Sequence, residues 1–167
     1  LEVIHFFEKI FGEYPFWEDG YKLVETPYAG MEHQSAIAYG NGYTTSGHYY
    51  MYDLVDYIIL HETAHEWWGN SLTACDGADV WLHESFATFG EVLYVEEKLG
   101  RLVSIDYLKK KRSYISNKLP MVGPRNVNYW GFDDVYWKGA WVLHTLRSVI
   151  NNDDIFFRWI KESQKKF

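Results

Sequence analysis

Hydrophobic positions fall into two rhythms along the chain. In residues 2–11, Val3, Ile4, Phe7, Ile10 and Phe11 recur on one side of a 3.6-residue period, which predicts the end of an amphipathic helix. From Tyr21 to Gly47 the apolar runs shorten. YKLVETPYAGMEH and SAIAYGNGYTTSG are broken by Gly, Pro, Asn and Ser, the pattern of strands and turns. Beyond them the helical period returns. Helices are predicted over residues 53–68, closed by Gly69 and Asn70, and over 79–99, ended by Gly100. Three more follow at 104–118, opening on Ser104 as a cap, at 133–150 and at 153–166, with LPMVGPRNVNYWG (119–131) as a loop. Strands first and helices after predict an α+β domain, mostly helical after a small N-terminal strand region.

The length of 167 residues suits one domain, residues 1–167, and 47% hydrophobic residues suffice for a core. The chain opens on Leu1 and ends inside a helical pattern, so a piece of a longer, multi-domain protein is expected. Aromatics reach 19%, with eight Trp and 14 Tyr, which suits both a core and the walls of a cleft. A net charge of -7 argues against nucleic acid as a partner; the one basic run, Lys109 to Arg112, reads as a solvated helix face. Cys75 is the single cysteine, which excludes an internal disulfide. No apolar run approaches the ~18 residues of a membrane span, and no targeting segment is visible, which leaves the compartment open.

The stretch HETAHEWWGN (61–70) carries the first candidate chemistry. On a helical period Leu54, Ile58, His61, His65 and Trp68 share a narrow arc, so both imidazoles lie on an apolar face. Residues four apart stack about one turn, or ~5.4 Å, along the axis, close enough to converge on one ion. Glu62 sits roughly 100° round from His61, placed to touch a water held by that ion rather than to share its coordination. Two histidines on one apolar face each need a polar partner away from water.

A catalytic zinc takes three protein ligands and keeps a fourth position for water. The candidate third ligand is Glu84 in VWLHESFATFGE, 19 residues after His65, a distance that lets the second helix return antiparallel to the first. Val80, Ala87, Thr88, Glu91 and Val95 share the face of Glu84, and small Ala87 permits close approach. Glu91 is a candidate partner for a ligand histidine, with Thr88 beside it; a buried salt bridge is the alternative for Glu91. Asp76 and Asp79 are left between the same readings. The His/His/Glu set suits zinc best, one Zn2+ per chain, with cobalt and manganese as alternatives.

HETAHEWWGN followed by WLHESFA resembles the zinc signature of the gluzincin metallopeptidases, and the 18 intervening residues resemble the M1 aminopeptidase family. AGMEH (29–33) resembles that family's GxMEN exopeptidase motif. VYWKGAWVLHTLR (135–147) resembles the segment carrying its catalytic tyrosine before a Lys-Gly pair. The four motifs stand in the family's order. Ala29, His33, His83 and Ser85 depart from its usual Gly, Asn, Asn and Gly. The resemblance implies a thermolysin-like metallopeptidase catalytic domain, preceded in the family by a β-rich domain and followed by a helical one.

It also implies roles. Zinc, held by His61, His65 and Glu84, lowers the pKa of a bound water from 15.7 to about 7. Glu62 serves as general base and Tyr136 as a hydrogen-bond donor to the developing oxyanion. Glu32 is expected to hold the free α-ammonium of a peptide, with Gly30 and Met31 lining its path; Gly30 allows close approach for lack of a side chain. The expected activity is zinc-dependent removal of N-terminal residues. Two alternatives remain: an epoxide hydrolase of the leukotriene A4 type, and a catalytically incompetent zinc-binding fragment.

Overall fold

The computed structural model describes residues 2–43, 50–52, 55–128 and 133–166. Helix α1, Glu2–Phe11, buries Ile4, Phe6, Phe7, Ile10 and Phe11: of the face its period predicts Val3 is only half-buried, and Phe6 is added. Three short strands follow: β1 Lys22–Glu25, β2 Gly30–Met31 and β3 Ala36–Tyr39. They form one sheet in the order β1-β3-β2, with β1 parallel and β2 antiparallel to the central β3. Gly30 pairs with Tyr39 and Met31 with Ala38, so AGMEH lies on a sheet edge. A second pair, β4 Tyr50–Met51 and β5 Val55–Asp56, is antiparallel.

Helix α2 runs over Tyr57–Ala64, not from residue 53. Asp56 stops it: its backbone is extended and its Oδ1 accepts from Ile58 N at 2.9 Å, an N-cap. Oδ2 of the same buried carboxylate accepts from Tyr39 Oη at 2.7 Å and from Asn41, tying the cap to β3. Residues 65–68 leave the helix. Asn70, Ser71 and Leu72 bond back to the carbonyls of His65, Glu66 and Trp67, five residues earlier, and Gly69 carries φ 141°. On α2 the expected face is buried at Ile58, His61, His65 and Trp68, but Leu60, Thr63, Ala64 and Trp67 are buried as well. The helix is enclosed on nearly every side, which a narrow apolar arc does not predict. Leu54 lies outside the described residues.

Helix α3, Trp81–Leu99, is the central element. Every residue from Ser85 to Val95 is buried, the mark of a helix surrounded by others. It starts two residues later than predicted because Asp76 caps a 3-10 turn, Gly77–Asp79, accepting from Ala78 N at 2.8 Å. Gly100 ends it at φ 90°. Helix α4 then begins at once, Arg101–Lys111, and a 3-10 turn Arg112–Tyr114 closes it. Ser104 is therefore no cap; it is buried inside α4, donating to Arg101 O at 2.9 Å. Helices α5, Asp134–Ile150, and α6, Asp153–Lys166, complete the chain.

α3 packs against α2, α4 and α5, and α1 against α6. At the α3–α5 crossing a Cβ on Gly139 would stand 1.8 Å from Ser85 Oγ, so the helices meet where Gly139 has no side chain. Arg147 ties three helices, bonding Glu96 of α3 at 2.8 Å and Asp153 of α6 at 2.7 Å. The core is aromatic: Phe7 stacks on Phe11, and Trp68 on Phe86 with ring centres 3.6 Å apart. No helix among the described residues is long and apolar enough to cross a membrane.

Candidate active site

α2 presents His61 and, one turn on at its C-cap, His65; the first turn of α3 presents Glu84. His61 Nε2 lies 3.2 Å from His65 Nε2 and 3.2 Å from Glu84 Oε2, and His65 Nε2 lies 3.4 Å from the same oxygen. The earlier histidine also reaches Glu91, two turns further along α3 than Glu84, while the later one reaches Glu84, so the helices run antiparallel.

The partners of the other ring nitrogens set the tautomers. His65 Nδ1 is 2.9 Å from the Trp68 carbonyl, which can only accept. His61 Nδ1 is 2.9 Å from Glu91 Oε1, and Glu91 Oε2 accepts from Tyr107 Oη at 2.7 Å. Both Nδ1 atoms therefore carry hydrogen, and each ring, in its neutral form, turns an Nε2 lone pair inward. Two nitrogen lone pairs and a carboxylate oxygen then face one another with no donor between them. That arrangement calls for a cation, and a tetrahedral ion with nitrogen and oxygen ligands fits the donor set.

The electrostatics agree. Burial disfavours a charged His61, yet Glu84 and Glu91 outweigh it and hold its pKa well above the usual imidazole value. Burial also opposes charge on His65, and Glu84 reverses it. Glu84 is itself desolvated, but bonds from both histidines hold its carboxyl far below the ordinary range. The two histidine shifts show that the centre draws positive charge, a proton or a metal ion, and the Glu84 shift keeps that carboxylate ionised to meet it.

Glu62 lies beside the cluster, against the β2 edge. Burial pushes its pKa up; the two imidazoles oppose this, and the charges of Glu32 and Glu84 add to it. A Cβ on Gly30 would stand 2.5 Å from Ile58 Cγ2 and 2.8 Å from Glu62 Oε1, so the β2 edge lies directly against this carboxylate. Met31 is exposed on that edge. Glu32 is half-buried beyond it, and its charge acts on Glu62, His65 and Tyr136. Tyr136, in the first turn of α5, sets its ring centre 5.9 Å from that of His61. Burial and the nearby Glu84, Glu32 and Glu62 raise its phenol pKa, which keeps the hydroxyl a donor. His61, Glu62 and Tyr136 line a common cavity of about 580 Å³.

Other expected residues fall differently. Thr88 is buried beside the site, but its hydroxyl has no hydrogen-bond partner among the described residues, so it does not orient a histidine. Asp76 and Asp79 are structural: Asp76 also accepts from Asn126 N, and Asp79 takes a forked bond from Arg125. His83 Nε2 accepts from Ala74 N at 2.8 Å, pinning the loop before α3. Ser85 donates to Val135 O at 3.0 Å, so it fills the space Gly139 leaves open. His33 is exposed.

Sequence reasoning missed Glu66 and Asn70. Glu66 is fully buried, yet its carboxylate accepts from Tyr14 Oη at 2.6 Å, Ser35 N at 3.0 Å and Asn70 Nδ2 at 3.1 Å. Asn70 Nδ2 also donates to the Glu32 carbonyl at 2.8 Å. These two side chains lash the strand edge carrying Glu32 to the segment carrying His65. The signal was present in the i, i+4 spacing of two polar groups inside an apolar stretch. The paired tryptophans serve packing: Trp67 Nε1 donates to the Gly12 and Glu13 carbonyls, and Trp68 covers Phe86.

Comparison with known proteins converges on one family. The peptidase family M1 domain profile matches residues 1–167. A leucyl aminopeptidase of Saccharolobus solfataricus is 29% identical over 98% of this chain and 23% of its own length. Endoplasmic reticulum aminopeptidase 1 of Mus musculus is 34% identical, covering 66% of this chain and 13% of its own. An M1 zinc metallopeptidase structure from Deinococcus radiodurans aligns with a TM-score of 0.76 at 25% identity, over 99% of this chain and 36% of that one. Leukotriene A4 hydrolase of Saccharomyces cerevisiae aligns at 0.78 and 24% identity over 99% and 28%, a likeness of fold alone. The chain thus spans less than a quarter of these curated relatives. With its full length matched and its helix pair carrying the expected motifs, the chain belongs to peptidase family M1.

Proposed function

We propose that this chain is the thermolysin-like catalytic domain of a larger zinc aminopeptidase, which removes the first residue from peptides with a free N-terminus. The observation that carries the reading is the convergence of His61 Nε2, His65 Nε2 and Glu84 Oε2 beside a desolvated Glu62. In this reading His61, His65 and Glu84 hold one zinc ion, which when bound supplies Lewis-acid character and lowers the pKa of a coordinated water to about 7. Glu62 accepts a proton from the attacking water and delivers it to the leaving amine, a role suited to a carboxylate whose pKa burial has raised. Tyr136 donates its O–H to the carbonyl oxygen as that atom gains charge. Glu32 holds the substrate's α-ammonium, which limits cleavage to the first residue. The edge at Gly30 and Met31 guides the peptide, and bare Gly30 lets it approach Glu62.

The test is a pair of substitutions assayed for zinc content and for hydrolysis of aminoacyl amides. Glu62→Gln should retain one zinc per chain and lose about 10²–10⁴-fold in kcat, the range of general acid–base catalysis. Glu84→Ala should lose the metal. Turnover surviving in Glu62→Gln would refute the assignment of the base; metal retained in Glu84→Ala would refute the ligand set.

A further inference from the structure

The basic run at the end of α4 does not behave as a uniform solvated face. Lys110 points outward and pairs with Asp106 at 2.7 Å. Lys111 turns the other way, into the cavity that His61, Glu62 and Tyr136 line. There its Nζ stands over three rings, 5.5 Å from the centre of Tyr107, 5.5 Å from Tyr114 and 5.2 Å from Trp137. Lys111 is the one lysine or arginine among the described residues lining this cavity, and no carboxylate among the described residues pairs with it. Ring faces hold an ammonium in place by attraction to its charge, but they satisfy none of its three N–H donors in the way an oxygen does.

The carboxylates nearby are already committed. Both oxygens of Glu91 are taken, one by His61 and one by Tyr107, and Glu62 packs against Gly30 on β2. The cavity lining therefore has two characters: acidic at Glu62 and Glu91, cationic and aromatic where Lys111 meets Tyr107, Tyr114 and Trp137. About 580 Å³ is ample for a side chain or a short stretch of peptide between the two.

We propose that Lys111, framed by Tyr107, Tyr114 and Trp137, forms a carboxylate-binding subsite in the catalytic cavity and makes the enzyme favour acid-bearing substrates. This rests on the peptidase reading above for its substrate class. The carboxylate has three sources of one chemistry: the first residue's side chain, the second residue's side chain, or the terminus of a short peptide. A carboxylate entering there gains charge-assisted hydrogen bonds from the ammonium. Its competitor of equal shape, an amide, gains less and carries no charge for Lys111 to meet.

The experiment uses the zinc-loaded full-length protein and three matched pairs of dipeptides. Glutamyl-alanine amide is set against glutaminyl-alanine amide, alanyl-glutamate amide against alanyl-glutamine amide, and alanyl-alanine against its amide. Binding is read by calorimetry in the Glu62→Gln background, where peptides are not consumed, and kcat/KM is read in the parent protein. One pair should show about a tenfold preference for the acid, as expected for one partly exposed charge-assisted bond, and which pair does so identifies the source. Lys111→Met, which keeps the stem against the rings, should bring that ratio to about one. Lys111→Arg should restore it. Equal binding within all three pairs, or a preference that survives Lys111→Met, overturns the proposal. Acid-selective binding with no turnover of any peptide would sink the peptidase reading and leave the subsite. Turnover without acid selectivity would do the reverse.

Discussion

Gly30→Ala tests the packing of the strand edge on the proposed base. The added methyl would lie 2.5 Å from Ile58 Cγ2 and 2.8 Å from Glu62 Oε1, where ordinary carbon contacts are about 3.5–4.0 Å. Something must move by about 1 Å. Ile58 is a poor candidate: it is buried, β-branched and stiff about χ1. The Glu62 carboxylate is the flexible partner and swings away, while β2, held by two residue pairs on β3, shifts outward. Overpacking of this kind costs about 1–3 kcal/mol. For a chain of this size that is a fall in Tm of roughly 2–12 °C. The catalytic loss should be larger in proportion, about 10²-fold in kcat, because a 1 Å misplacement of a catalytic group costs that much. Neither His61, His65 nor Glu84 is touched, so zinc content should not change. Melting, metal analysis and steady-state kinetics on one preparation read all three. A kcat within twofold of the parent, with unchanged Tm, would refute the close approach of Gly30 to Glu62 and with it the role given to the edge.

Two further outcomes follow from buried groups. Glu91→Ala leaves His61 Nδ1–H and the Tyr107 hydroxyl without their shared acceptor, so zinc affinity measured by chelator competition should fall about 10–100-fold; unchanged affinity would remove Glu91 from the site. At alkaline pH, burial and then the Asp56 bond push the Tyr39 phenol up to about 12, against about 10 in an unfolded chain. The folded state holds this proton more tightly, so its contribution, at most about 2–3 kcal/mol, is intact below pH ~10 and lost as pH rises through ~12. Denaturant titrations across that window should show stability falling, with a shallower fall in Tyr39→Phe; an equal slope in both would place the loss elsewhere.

The sequence was most legible where local rules act alone. Helix α6 and the end of α3 at Gly100 fall where period and glycine place them. The starts of α2 and α3 do not, because Asp56 and Asp76 take up cap geometry only once β3 and the loop at Asn126 are in place to accept or donate. Helix α4 begins at Arg101 rather than Ser104 because Gly100 ends one helix and opens the next without a loop, and no periodicity reports that. The site was legible as a set of residue types at fixed spacing, since i, i+4 histidines and a later glutamate are read along the chain. What spacing could not reveal was the supporting layer. Tyr107 approaches Glu91 from α4, Tyr14 and Ser35 approach Glu66 from outside α2, and the hydroxyl of Thr88, on the expected face, has no hydrogen-bond partner among the described residues. Each depends on a crossing between elements.

Those crossings explain why so many polar groups are tolerated in this core. A buried Glu66 would be costly alone, and the three donors it takes up, Asn70 Nδ2, Ser35 N and Tyr14 Oη, come from α2's own exit, the β2–β3 turn and the segment after α1. The carboxylate therefore works as a junction: it binds the edge carrying Glu32 to the segment carrying His65, while Glu91 binds the helix carrying His61 to α4 and the lysine cavity. One junction follows His65 directly in the chain, and the other bonds His61. Movement of the edge carrying Glu32 or of the lysine cavity must then strain a bonded carboxylate before it reaches His61, His65 and Glu84. A hydrophobic core of equal volume would pack as well and would not fix those directions, which is a physical reason for two glutamates where a domain of this size could have placed leucines.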